Sequence, residues 1–357
     1  MAPRIGIVGV GLIGGSIGMA ARQRLGAHVA GYDAQAAVLE AGLSRGALDQ
    51  AGDSLSDAVA GAEIVFVATP VGALPGAIDA VLAAAPADCA VTDVGSTKRS
   101  VAGAHGDQRF IGGHPLAGAE TSGVEHARAD LFEGATWYLT PPAEVSGVLY
   151  ERLHRVLVGI GAQPAAIEAD VHDRVMATVS HLPHVLANVL VAQAAQALGD
   201  GGRMPATGPS FRDATRVAGA NAEIWTDIYL SNRDALAAGI DEATARLEVV
   251  RAALVAGDRA AIDNWTADAR ADRDSLLGAG LAGGAVHELR ASVPNRPGVI
   301  AEIALALGRE GVNIVDMALS PSPDQSQGVV ALWVRGEAEA ERALELIGAL
   351  DFPVARA

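Results

Sequence analysis

Residues 4–33 read RIGIVGVGLIGGSIGMAARQRLGAHVAGYD, and this stretch decides the fold. Residues 4–10 are a short apolar run with the length and β-branched content of a buried strand. Gly9-x-Gly11-x-x-Gly14 follows and opens a helical stretch to about Leu25. His28–Tyr32 reads as a second strand, ended by Asp33. Strand, glycine-rich turn, helix and an acidic residue about 20 positions on make the dinucleotide-binding pattern. Gly9 permits the tight turn. Gly11 leaves backbone N–H groups open to a pyrophosphate, and Gly14 lets helix and strand pack closely. Leu12 and Ile13 start the helix, whose N-terminus favours an anion. Asp33 can accept from a ribose diol and would repel a 2′-phosphate, so NAD is expected rather than NADP.

Beyond Asp33 the alternation continues. Glu63–Ala68 is a strand stopping at Thr69-Pro70, Val71–Ala84 a helix, and Cys89–Val94 a strand running into Asp93-Val-Gly-Ser96. A short apolar piece, Phe110–Gly112, and a strand, Thr136–Thr140, follow. This order predicts a doubly wound α/β Rossmann-type sheet over residues 1–165. Strand signals then vanish. Asp170–Leu198, Ala222–Ala256 and Asp258–Leu277 read as long helices, with a Gly/Pro-rich break at 199–209. The expected second unit is an all-helical substrate and dimerisation domain, 166–280. Its helices are too apolar to stand alone, which predicts a homodimer. A glycine-rich linker, 278–284, precedes a βαββαβ pattern over 285–357, the order of the ferredoxin-like fold.

The chain has 357 residues, enough for two or three domains at roughly 150 residues each. Hydrophobic residues make up 50% and charged residues 19%, so a large core can be buried. Lys and Arg total 26 against 42 Asp and Glu, a net charge of −16. That balance argues against nucleic acid or an anionic membrane as partner. One cysteine, Cys89, excludes a disulfide framework and a cysteine-built metal site, and fits a reducing cytoplasm. No signal peptide and no transmembrane helix are expected.

Four segments carry reactive side chains. Thr69-Pro70 and Asp93 to Ser96 stand at strand ends, where ligands of open parallel sheets bind; either they line the nicotinamide half of the cofactor or they are ordinary strand-ending turns. His114, between glycines and Pro115, is expected in a loop after a short strand, either as a rigidly held base or as a structural histidine. His181 and His184, spaced i, i+3, share a helix face. They lack the further ligands that zinc needs, so no metal is expected, and helix packing is the competing role for one of them. Arg212 and Arg216, spaced i, i+4, suit carboxylate recognition. Salt bridges to Asp213 or Asp227 are the rival account.

Taken together, these motifs resemble one family. Gly9-x-Gly11-x-x-Gly14-Gly15-Ser16, Asp93-Val-Gly-Ser96-x-Lys98, Gly113-His114-Pro115-x-Ala117-Gly118, Ser180-His181-Leu182-Pro183-His184 and Phe211-Arg212-Asp213-x-Thr215-Arg216, with Trp225 beyond, are similar to the prephenate/arogenate dehydrogenases of tyrosine biosynthesis. The tail, with Pro294-Asn295-Arg296-Pro297-Gly298-Val299 and Asn313, resembles an ACT domain. The resemblance implies a monofunctional, NAD-dependent oxidative decarboxylation of prephenate to 4-hydroxyphenylpyruvate and CO2. Hydride leaves C4 of a cyclohexadienol for NAD+, and loss of CO2 makes the ring aromatic. It implies His114 as the base for the C4 hydroxyl and Ser96 as a hydrogen-bond partner of that hydroxyl beside the nicotinamide. Arg216, with Arg212, would meet substrate carboxylate. His181 and His184 would order the cleft from the helical side, and Trp225 would pack behind Arg216. In the tail, Asn295, Pro297, Gly298, Val299 and Asn313 are the expected contacts of an amino-acid effector such as tyrosine; a dimerisation role for the module is the alternative. An arogenate dehydrogenase is a neighbouring possibility. A non-catalytic sensor of NAD and amino acids is a different class, and it leaves His114, Ser96 and Arg216 without a task. The related β-hydroxyacid dehydrogenases use a lysine where this chain has His181 and His184.

Overall fold

The computed structural model describes residues 2–102, 106–118, 121–197, 208–278, 286–322 and 326–357. The first unit is built on an 8-stranded sheet: β1 (Arg4–Val8), β2 (His28–Tyr32), β3 (Gln50–Ala51), β4 (Ile64–Val67), β5 (Ala90–Asp93), β6 (Phe110–Pro115), β7 (Thr136–Thr140) and β8 (Gln163–Ala166). Their order is β3-β2-β1-β4-β5-β6-β7-β8. The order in which strands are added reverses between the parallel strands β1 and β4, which is the switch point where such sheets bind ligands. The central strands β1 and β4 are buried apolar residues from Ile5 to Val8 and from Ile64 to Val67, as sheets covered on both faces require.

Three features depart from the expected sheet. β3 and β8 are additional strands, and β7 runs antiparallel to β6 while β8 runs parallel to β7. The third is that β6 does not stop at Gly112. It continues through His114, which pairs with Tyr138 of β7. Gly112-Gly113 looks like a breaker in sequence. In the fold these two glycines let β6 lie close: a Cβ on Gly113 would come within 2.6 Å of the Asp93 carbonyl oxygen, and one on Gly112 would strike the Thr140 hydroxyl. His114 is therefore a strand residue, not a loop residue.

The helical unit begins with Ala169–Met176, continues as a π-helical turn at Ala177–His181 and resumes over Leu182–Ala197. Pro183 has no N–H to offer the carbonyl four residues back, and the widened turn lies beside it. The expected helix Ala222–Ala256 is broken in two, Ala222–Ser231 and Arg233–Ala256, around buried Asn232. Helix Arg259–Gly278 follows. The helical stretch Ala169–Ala197 is long and apolar enough to cross a membrane by length and composition alone, contrary to the expectation of no such segment. Val189, Leu190 and Val191 on it, and Leu247, Val249 and Leu254 on Arg233–Ala256, are exposed.

The C-terminal module has β9 (Val286–Pro294), β10 (Ile314–Pro321), β11 (Gln327–Arg335) and β12 (Val354–Arg356) in the order β10-β11-β9-β12, every pair antiparallel. Helices Val299–Arg309 and Glu337–Gly348 complete the βαββαβ order. All of the glycine-rich linker, 278–284, except its first residue lies outside the described residues. The module shares one apolar core with the first unit, including Leu153, Leu157, Ile300, Ile303 and Leu307. Gly308 permits that docking, because a Cβ there would collide with the Ala166 carbonyl.

Candidate active site

The first half of the site is the glycine turn. Gly9 has φ +94°, and a Cβ there would press on the backbone of Ala68 and Thr69. A Cβ on Gly14 would collide with the Gly9 carbonyl. Gly11, by contrast, faces open space, so a phosphate can approach the start of helix Leu12–Leu25. Asp33 accepts from Val10 N at 2.9 Å and Gln35 N at 3.0 Å, which ties the turn to the end of β2. Each carboxylate oxygen retains a lone pair for a ribose hydroxyl. The buried Thr69 hydroxyl has no partner among the described residues, and Pro70 beside it is exposed. An open cradle and an unpartnered polar atom on one sheet edge fit a dinucleotide.

Asp93 does not belong to that lining. It is fully buried. Its carboxylate accepts from Gly95 N at 2.8 Å and Gly113 N at 3.0 Å, and ion-pairs with the equally buried Lys98 ammonium. Burial drives the Lys98 amine below its ordinary value, and Asp93 opposes that. The pair pins the β5 loop to β6, and so places half-buried Ser96 and His114.

The second half is a chain of hydrogen bonds. His114 Nδ1 lies 2.9 Å from His172 Nε2, and His172 Nδ1 lies 2.8 Å from Asp173 Oδ1. Asp173 also accepts from Lys98 N at 2.7 Å and Arg99 N at 2.9 Å, and these contacts hold its carboxyl below the ordinary value despite burial. A carboxylate only accepts, so His172 carries its proton on Nδ1. Its Nε2 then accepts, so His114 carries its proton on Nδ1 and turns an unprotonated Nε2 outward. Burial, helped by the neighbouring His172 and Lys98, holds His114 well below 6.5, so the ring is neutral. The rings of His114 and His172 meet edge to face, and Tyr138 packs edge-on against His172.

The third part comes from the helices. His184 stacks on Trp225 with ring centroids 3.4 Å apart, and His181 meets the edge of the same indole at 6.1 Å. Burial lowers His184, with a contribution from the Arg216 charge, which places that guanidinium near the stack. Arg212 and Arg216 do not lie on one helix. Helix Pro209–Thr215 ends before Arg216, which begins a short 3-10 turn. Both arginines are exposed. Trp225 is the platform for His184.

The structure gathers His181 and His184 around Trp225, with His181 within electrostatic reach of His114. It adds His172, Asp173 and Asn232, which sequence reasoning missed. His172-Asp173 opens no motif, and nothing in its helical spacing points to His114, 58 residues away. The effector residues are divided. The loop bearing Asn295, Pro297 and Val299 borders a cavity of 130 Å³ shared with Gln108 and Ser146, while Asn313 lines a different cavity of 290 Å³ with Tyr138 and Gln163. Gly298, at φ +85°, is taken up in docking: its N–H donates to the Val145 carbonyl at 2.8 Å.

Comparison with known proteins follows the same division. The family model for the prephenate dehydrogenase nucleotide-binding domain matches residues 17–165, and that for the prephenate dehydrogenase dimerization domain matches 168–267. The prephenate dehydrogenase of Bacillus subtilis is 32% identical over 360 aligned residues, covering 98% of this chain and 96% of that protein. The chain belongs to the prephenate dehydrogenase family. The ACT domain model matches 287–351, so the family's two domains are followed here by an ACT domain. A crystal structure of prephenate dehydrogenase from A. aeolicus in complex with hydroxyphenyl propionate and NAD+ superposes with a TM-score of 0.72 at 27% identity, covering 77% of this chain and 99% of that one. Synechocystis arogenate dehydrogenase gives 0.68 at 28% identity, covering 76% and 99%. Both likenesses stop short of the full chain.

Proposed function

We propose that this member of the prephenate dehydrogenase family is an NAD-dependent prephenate dehydrogenase, with His114 as its catalytic base. The observation that carries the reading is the Asp173–His172–His114 chain, which presents a neutral imidazole lone pair at the carboxyl end of β6, on the same sheet edge as the glycine turn. When bound at Gly9–Gly14 and Asp33, NAD+ supplies the acceptor for hydride from C4 of the substrate. His114 Nε2 removes the proton of the C4 hydroxyl, a step for which a positioned base contributes about 10²–10⁴-fold. The positive charge that forms on the ring is opposed by the buried Asp173 carboxylate. Ser96 holds the same hydroxyl from the β5 loop. Arg216, with Arg212 adding positive charge, meets the substrate's carboxylate end, and His181, His184 and Trp225 form the helical wall. Loss of CO2 makes the ring aromatic and completes the change.

The exposed apolar residues of Ala169–Ala197 and Arg233–Ala256 are covered in a homodimer of the helical domain. The cavity beneath the Asn295–Val299 loop receives an amino-acid effector such as tyrosine. Because it is shared with Gln108 and Ser146, its occupant touches the dehydrogenase portion as well as the ACT domain. A sensor without catalysis has no use for a relay that sets one imidazole tautomer.

The deciding experiment is the initial rate of reduced-cofactor formation with prephenate or arogenate, each with NAD or NADP. Turnover with prephenate and NAD is expected, and His114→Asn should keep NAD affinity while losing most of kcat. Preference for arogenate would move the substrate assignment, and no turnover with either would overturn the catalytic reading.

A further inference from the structure

Asn232 interrupts what the sequence presents as one helix, at a point buried against the active site. It is 2% exposed, on a residue type that favours surfaces and caps. Its neighbour Ser231 reaches the β5 loop, with its Oγ 2.8 Å from Thr97 Oγ1. Asn232 itself turns inward. Its Nδ2 donates to the Asp173 carbonyl at 2.7 Å and lies 3.2 Å from His181 Nδ1. The amide orientation is not free to reverse. Turned over, Oδ1 would face the Asp173 carbonyl, and two acceptors would oppose each other in a buried place. Nδ2 therefore faces both partners. One of its hydrogens goes to the carbonyl and the other to His181 Nδ1, which must carry the lone pair.

We propose that Asn232 is a positioning residue for the reaction: it fixes the His181 proton on Nε2 and makes that ring a hydrogen-bond donor to substrate. The inference rests on the dehydrogenase reading above. Its consequence is that one residue, Asp173, anchors two tautomers of opposite sense. Through its carboxylate and His172, it leaves His114 an acceptor at Nε2. Through its backbone carbonyl and Asn232, it leaves His181 a donor at Nε2. His181 lies within electrostatic reach of His114, His172 and His184, and against the edge of Trp225. It thus lies near the base on one side and near His184, which the Arg216 charge reaches, on the other. Burial lowers it to about 4, so the ring stays neutral near pH 7 and its tautomer, not its charge, decides what it offers. A neutral donor there suits a carbonyl or carboxylate oxygen of the substrate, and it cannot compete with His114 for the hydroxyl proton.

The test is nitrogen-15 NMR of histidine-labelled enzyme, with the His181 signals assigned by their loss in His181→Gln. In the wild-type enzyme, Nδ1 of His181 should show the unprotonated shift and Nε2 the protonated one. Asn232→Ala should turn this into a tautomer mixture and leave the His114 signals and NAD affinity in place. It should also raise KM for prephenate about 10- to 100-fold, the equivalent of one hydrogen bond to a charged group, with a smaller change in kcat. Wild-type His181 protonated on Nδ1 would overturn the proposal, as would an Asn232→Ala enzyme with unchanged tautomer and KM. The wild-type spectrum decides even if the variant does not fold. Absence of prephenate turnover in the wild-type enzyme would instead overturn the functional reading and leave the tautomer result standing.

Discussion

His172→Phe isolates the relay from the base. Phenylalanine keeps an aromatic ring for Tyr138 to pack against and fills most of the space, but it removes both ring nitrogens. His172 is fully buried, so no water replaces the lost acceptor cheaply. The 2.9 Å bond to His114 then has no counterpart, and His114 Nδ1–H is left unsatisfied. Leaving a buried donor unpaired costs about 1–3 kcal/mol, and about 1.4 kcal/mol is a factor of ten. The proton gains freedom to occupy Nε2, where it blocks the base. The expected result is a kcat reduced about 10- to 100-fold, with KM for NAD unchanged because the Gly9–Asp33 crevice is untouched. His114→Asn should cost more, within the 10²–10⁴-fold range of a positioned base. Combining the two should cost no more than His114→Asn alone, because residues acting as one unit are not additive. The assay is steady-state cofactor reduction with the two single variants and the double. A His172→Phe kcat within about twofold of wild type, or losses that multiply in the double variant, would refute the relay.

Three other outcomes are expected. Lys98→Met leaves the Asp93 carboxylate buried without its cation, and should destabilise the protein by about 3–5 kcal/mol in urea unfolding; a shift below about 1 kcal/mol would show that the pair holds nothing. His154 and His181 are each 1% exposed and lowered by burial to about 4 from 6.5. As pH falls below 6.5, the unfolded chain takes up protons that the folded one refuses, so stability drops, by on the order of 3 kcal/mol for each ring once pH 4 is reached. His154→Leu should flatten that acid dependence of the urea midpoint, and an unchanged slope would count against it. Gly14→Ala drives a methyl into the Gly9 carbonyl, so NAD affinity measured by calorimetry should fall at least tenfold, about 1.4 kcal/mol, while the C-terminal module is untouched.

Much of the architecture is legible in the chain because it rests on local patterns. The glycine turn, the spacing to Asp33, the loss of strand signals from Glu168 on and the βαββαβ order of the tail all lie within short windows, where period and turn chemistry govern. So do the motifs that carry His114, His181, His184 and Trp225. What the chain alone did not disclose depends on groups far apart in sequence. Gly112-Gly113 read as the end of a strand, because a glycine pair lowers strand propensity; in the fold β6 continues through it, and the glycines leave room for the close approach of β7 at Gly112 and of β5 at Gly113. Asp93 read as a ligand because of its place at a strand end, yet Lys98, Gly95 and Gly113 claim its carboxylate. Ala222–Ala256 read as one helix because no Pro interrupts it and its single glycine, Gly239, lies well inside the helical stretch, yet it breaks at Asn232, whose hydrogen bonds run to Asp173 and His181. Local pattern determined which elements form and which side chains carry chemistry. Tertiary structure decided which buried polar groups meet, and with them where each imidazole holds its proton. That follows because a buried donor or acceptor must find its partner wherever in the chain the partner lies.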